Sequence, residues 1–94
     1  MTAGITGIAR LLVCGGRDVV RDREAVGRAA DRLRERGLWV MLAGEGDLCD
    51  ALREDGAHVE EPDEEQPTHA VVFGDAQRAA GLRGAGVAVW EVRT

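Results

Sequence analysis

The chain of 94 residues is long enough for one small domain, and its hydrophobic content of 45% is ordinary for a globular protein. Its net charge of −5 argues against a general role in binding nucleic acid or acidic membrane surfaces. No apolar run approaches the roughly 20 residues of a membrane span, and no signal-peptide pattern is seen, so we expect a cytoplasmic protein with reduced cysteines.

The first half of the chain alternates between apolar runs and helical patterns. RLLVC, at positions 10–14, indicates a strand buried on both faces, and the first few of the small residues before it are expected to be frayed. A helical pattern follows, with Asp22 as its predicted N-cap and Gly37 as its predicted end. A second buried run, LWVMLA at positions 38–43, precedes a short amphipathic helix that ends near Gly56.

The second half repeats this alternation. AHVEE (57–61) predicts a weak strand and HAVVF (69–73) a stronger one. A short helix is expected from Ala76 to the glycines at 84 and 86, and VAVWEV (87–92) predicts a last strand. This order predicts one α/β domain over residues 1–94, a Rossmann-like three-layer sandwich with about five mostly parallel strands, three helices and the first strand in the middle.

The connection between the third and fourth strands is short for a parallel sheet. It consists of EPDEEQPT, positions 61–68, whereas parallel neighbours normally need a crossover of about a dozen residues or more. Fully extended, these residues reach roughly 26 Å, which just crosses a small sheet. An arrangement with one antiparallel strand therefore stays open, and the acidic run itself is interpreted as a solvated loop.

Three strand ends carry similar glycine-bearing turns, CGGRD, AGEGD and FGD. In a parallel sheet all three lie at the carboxyl edge, where glycines permit close approach of a ligand and helix amino termini attract phosphate. The residues predicted to bind a ligand are Gly15, Gly16, Arg17, Asp18, Gly44, Glu45, Gly46, Asp47, Gly74 and Asp75. The alternative interpretation is that the glycines only form tight turns and that the acids are N-caps or first-turn acids.

The same residues carry a resemblance to a known family. LLVCGGRDVVRDREAV, MLAGEGDLCDALREDGAHVEE and HAVVFGDAQRAAGLRGAGVAVWEV resemble the three blocks of the SLOG superfamily, close to its YspA-like branch. The resemblance implies a Rossmann-like fold that binds nucleotides or nucleotide-derived ligands. The LOG enzymes of that superfamily have a PGGxGTxxE turn, whereas FGDAQRAAG stands here without the Gly-Thr pair or the glutamate.

The leading functional hypothesis is therefore a sensor or regulatory domain that binds a nucleotide-like small molecule, with no cofactor, no metal and no catalytic residue. One alternative is an interaction or assembly module without a ligand. Another is a nucleoside-monophosphate N-glycosidase that uses Asp18, Glu45 or Asp47. We further expect a homodimer, formed through the last strand and its Trp90, because that strand is apolar on both faces.

Overall fold

A computed structural model of the chain describes residues 7–16, 19–62 and 66–92. Its strands are β1 (Gly7–Cys14), β2 (Leu38–Gly44), β3 (Val59–Glu60), β4 (His69–Phe73) and β5 (Ala88–Val92). Its helices are α1 (Val19–Glu35), α2 (Asp47–Glu54) and α3 (Ala76–Gly84).

The strands form one sheet in the order β3-β2-β1-β4-β5, and every neighbouring pair is parallel. The predicted Rossmann-like α/β sandwich is thus confirmed, with β1 in the middle. The antiparallel alternative is wrong, because the short connection does reach across: Thr68 at its end donates its N–H to the carbonyl of Arg10 in β1, at 3.1 Å. The described residues of this connection, 61–62 and 66–68, contain no helix.

Alternate residues of the central strand point to opposite faces, and each face has its own apolar core. On the two-helix face, α1 and α2 pack against Leu11 and Val13 of β1 and Val71 of β4. On the one-helix face, α3 packs through Ala79 against Leu12 and the even-numbered residues of β4. Each buried leucine or valine contributes about 1.5–3 kcal/mol, so β1 is held from both sides.

The one-helix face is covered over only part of the sheet. α3 lies on β4 and β5, and the first residues of β1 and β2 have no helix above them among the described residues. Ile8 and Trp39, which are partners in the β1–β2 register, remain 49% and 58% exposed. We call Ile8, Trp39 and the partly buried Arg10 and Met41, which share this face, the open half-sheet.

Two boundaries differ from the sequence prediction. α1 begins at Val19, so Asp22 is not its N-cap: it lies in the first turn and is 1% exposed. The predicted start of this helix rested on the apolar periodicity, which begins only at Ala25. The residues just before Ala25 are polar, so the sequence does not indicate that Asp22 is buried. β1 begins at Gly7, because residues 7–9 pair with the start of β2, while residues 1–6 lie outside the described ranges.

Trp90 in the last strand packs against the core of the two-helix face rather than standing free. Its ring stacks on His69, with 5.7 Å between ring centroids. The Thr68 hydroxyl oxygen accepts the N–H of Arg10 and lies 2.8 Å from Nδ1 of His69, so its own proton is available for a neutral imidazole. Burial lowers the pKa of His69, and the nearby Arg36 lowers it further.

This lowered pKa gives a testable dependence of stability on pH. Below the ordinary pKa of about 6.5, the unfolded chain takes up a proton at His69 before the folded chain does, so stability falls as pH falls towards the folded pKa. We expect His69→Gln to flatten the urea-denaturation free energy between neutral and mildly acidic pH. The wild type measured over the same pH range is the reference. An unchanged slope in His69→Gln would contradict this account.

Candidate functional site

A cleft of about 1030 Å³ opens at the carboxyl ends of β1 and β4. Its floor is the end of β1 with the turn at Gly15 and Gly16. Its walls come from the end of β2 (Gly44 and Glu45) and the end of β4 (73–75). Arg78 and Leu82 of α3, and Pro62 and Pro67 of the β3–β4 connection, complete the walls.

The position of the cleft follows from the topology. The chain leaves β1 for the two-helix face through α1, and it leaves β4 for the one-helix face through α3. Because β1 and β4 are neighbours, these two exits diverge and leave a gap between them at the carboxyl edge. This is the switch point at which open parallel sheets usually bind their ligands.

The structure brings together six of the ten predicted ligand residues. Those that line the cleft are Gly15, Gly16, Gly44, Glu45, Gly74 and Asp75. Gly46 and Asp47 do not line it, because they form the N-cap and the first residue of α2. Arg17 and Asp18 lie outside the described residues.

Two of the cleft glycines are required by the fold itself. Gly16 has φ 104°, and a Cβ there would lie 2.7 Å from Cδ2 of Leu48 in α2. Gly44 has φ 151°, and its Cβ would lie 2.7 Å from the carbonyl oxygen of Val13 and 2.8 Å from the sulfur of Cys49. The tight-turn interpretation therefore accounts for these two residues without a ligand, and a binding function has to be argued from other groups.

Two polar contacts at the edge have structural roles, one by Asp75 and one by Arg53. Oδ1 of Asp75 accepts the backbone N–H of Arg78 at 2.9 Å, so Asp75 is the N-cap of α3, as one of the two interpretations predicted. On the other side, Arg53 donates to the carbonyls of Gly44 at 3.0 Å and Val59 at 3.1 Å, and thereby ties the ends of β2 and β3 together. Glu45 is an exposed carboxylate of the cleft wall.

Arg78 is the functional candidate that the sequence analysis missed. It is the one basic residue among the described residues that line the cleft. Its guanidinium lies near the thiol of Cys14 and lowers the pKa of that thiol. The signal that could have indicated Arg78 is its position in the first turn of the helix that follows the third glycine-bearing turn.

The thiol of Cys14 is half-buried at the floor of the cleft. Burial raises its pKa above the ordinary value, and Arg78 opposes that rise without cancelling it. Burial also raises the pKa of Cys49, which is packed beneath Gly44. Both thiols are therefore protonated at neutral pH, which argues against a nucleophilic role.

No family model, curated protein or solved structure matches the chain. Within the described ranges, no helix is long and apolar enough to cross a membrane. The same residues contain no cluster of three or more histidine, cysteine or acidic side chains able to hold a metal ion. The chain is thus an α/β protein of Rossmann-like architecture with an open cleft at its switch point.

The role of Gly44 can be tested by adding one methyl group. Gly44→Ala should destabilise the protein by about 2 kcal/mol or more, since the Cβ meets a backbone oxygen in a strained conformation. Gly27→Ala is the control, because Gly27 lies in α1 with open space around it and should gain about 0.8–1 kcal/mol of stability. Urea denaturation measures both changes, and equal stability of Gly44→Ala and wild type would refute the packing argument.

The contact between Arg78 and Cys14 can be tested by alkylation. Because Arg78 lowers the pKa of the thiol, Arg78→Gln should move the pH midpoint of iodoacetamide labelling at Cys14 upward. Arg83→Gln is the matched control, since Arg83 is on the same helix but pairs with Glu91 at 3.0 Å. Peptide mass spectrometry separates Cys14 from the buried Cys49. A midpoint that stays the same or falls in Arg78→Gln would contradict the contact.

Proposed function

We propose that the cleft binds a nucleotide or a nucleotide-derived small molecule, and that the protein acts as a sensor or regulatory domain without catalysing a reaction. The observation that carries this proposal is the position of Arg78 in a large cleft at the switch point of the sheet. Neither the glycines nor the acids carry it alone, because both have structural explanations.

The size of the cleft supports a ligand larger than a bare ion. Pockets for small organic ligands usually measure about 300–1,000 Å³, and this cleft is at the upper end of that range. Its floor and walls combine apolar surface from Leu12, Phe73 and Leu82 with polar groups at the rim. A ligand with a flat or apolar part and a charged part fits such a lining.

The charges of the cleft favour a mixed ligand. The guanidinium of Arg78 offers paired donors to a phosphate or carboxylate, and no described carboxylate forms an ion pair with it. Glu45, on the wall formed by the β2 turn, is an acceptor for hydroxyl or amino groups. One cation with carboxylates nearby suits a nucleoside-like molecule better than free phosphate.

The resemblance to the SLOG superfamily supports the same class of ligand. The Gly15–Gly16 turn, which matches the first family motif, lies at the floor of the cleft. The third family turn holds phosphate through its glycine-rich backbone, and in this chain FGDAQRAAG has fewer glycines but contains Arg78. We propose that the arginine side chain takes over the role of those backbone groups.

Binding is proposed ahead of glycosidic hydrolysis because of the position of the candidate acids. Asp47 lies outside the cleft lining, and Asp18 lies outside the described residues. Glu45 is the one acid of that group found in the cleft, and the other carboxylate of the lining, Asp75, is engaged as the N-cap of α3.

Calorimetry with a panel of mono-, di- and cyclic nucleotides tests the proposal. We expect at least one member to bind, and Arg78→Gln to weaken it by about tenfold or more, as loss of a charged hydrogen bond costs about 1.5–3 kcal/mol. Arg83→Gln should bind like the wild type, because its side chain is paired outside the cleft.

Two results would count against the proposal. One is the absence of binding across the whole panel. The other is binding that Arg78→Gln and Arg83→Gln leave equally strong, which would place the ligand away from the cleft.

A further inference from the structure

The open half-sheet is an unusual surface for a parallel sheet. Parallel sheets occur almost only with both faces covered, because their strands are apolar on both sides. Here the connection between β3 and β4, the place where a further crossover helix would cover this face, forms no helix in its described residues. As a result Ile8 and Trp39 lie side by side in adjacent strands and are about half exposed.

A second surface of matching character lies beside it. α3 faces the sheet with Ala79 and Leu82, so the opposite side of the helix carries Gln77, Gly81 and Gly84. These three residues are exposed and uncharged, and a Cβ added at Gly81 or Gly84 would meet nothing within 4 Å. Gln77 and Gly81 also line a shallow hollow of about 390 Å³ together with Arg78 and Leu82, so this side of α3 has room for a bulky side chain of another chain.

We propose that two copies of the chain pack through their one-helix faces about a two-fold axis, so that α3 of each copy covers the open half-sheet of the other. The bulky side chains of Ile8 and Trp39 then rest on the small residues of the partner's helix. Each sheet gains the second helix that its own sequence does not supply on this face.

A second copy is preferred over a different partner because each copy carries both of the surfaces that the contact needs. A tryptophan carries about 150–250 Å² of surface, so the open half-sheet alone offers roughly a few hundred Å². A stable interface needs about 800 Å² from each partner. In a two-fold dimer each copy contributes its half-sheet and its α3 surface together, which brings the contact towards that size.

The open half-sheet is separate from the ligand cleft. Ile8 and Trp39 are each the second residue of their strands, at the amino ends, whereas the cleft lies at the carboxyl ends. The α3 side of the interface borders the cleft, since Arg78 and Leu82 line both the cleft and the hollow beside Gly81. Sedimentation without nucleotide therefore tests the dimer separately from ligand binding.

Sedimentation velocity on the full chain tests the dimer. The wild type should sediment at twice the chain mass of 10.1 kDa at high concentration. Trp39→Lys and Gly81→Arg, one on each of the two surfaces, should each raise the dimer dissociation constant by at least about tenfold. Gly81→Arg replaces a helical glycine in open space, so it should not weaken the fold.

Two substitutions of the same kind serve as controls. Val20→Lys changes a hydrophobic residue of α1 that is 73% exposed, and Gly27→Arg changes an open glycine of the same helix. Neither lies on the one-helix face, so both variants should dimerise like the wild type. Thermal melting of all four variants separates loss of association from loss of folding.

A wild type that stays monomeric at all concentrations would overturn the proposal. So would a dimer that tolerates both Trp39→Lys and Gly81→Arg. Val89→Pro tests the open edge of β5. The N–H of Ala88 and the carbonyl of Val92 form hydrogen bonds on the β4 side, so the N–H of Val89 points away from the sheet. Loss of such a dimer in Val89→Pro would instead assign the dimer to this edge. That result would support the interface through the last strand and exclude the one proposed here.

Discussion

The pairing of β1 with β2 on one side and β4 on the other is the constraint on which the rest of the structure depends. It forces β1 to bury side chains on both faces, with Leu11 and Val13 towards α1 and α2 and Leu12 towards α3. It also makes the chain leave two adjacent strands in opposite directions. The gap at the carboxyl edge is a direct consequence of that divergence, and any binding function of this fold has its natural place there.

The short connection between β3 and β4 links the cleft to the open half-sheet. Pro62 and Pro67, near its two ends, form part of the cleft wall. The same segment is too short to supply a covering helix, so Ile8 and Trp39 remain exposed on the one-helix face. The same short segment thus shapes two surfaces, a cleft at the carboxyl edge of the sheet and an exposed apolar patch near its amino edge.

The sequence was sufficient for the fold because its signals are local: buried runs, glycines after them, and helical periodicity between them. The meeting of the three turns at one edge followed from parallel pairing alone. Arg78 could not be found in this way, since it lies 64 positions after Cys14 and its approach to that residue depends on how α3 packs on the sheet. Trp39 and Trp90 look alike in sequence as well, and only the placement of the helices decides that Trp39 is the more exposed.

α3 is attached to the sheet by small side chains, with Ala79 buried and Leu82 partly buried beneath it. The ion pair between Arg83 and Glu91 fixes its last turn, and the Asp75 cap defines its first. Few interlocking side chains lie between these two end contacts. The position of α3 on the sheet, and with it the position of Arg78 at the cleft, therefore depends mainly on the packing of Ala79 and Leu82 and on the contacts at the two ends of the helix.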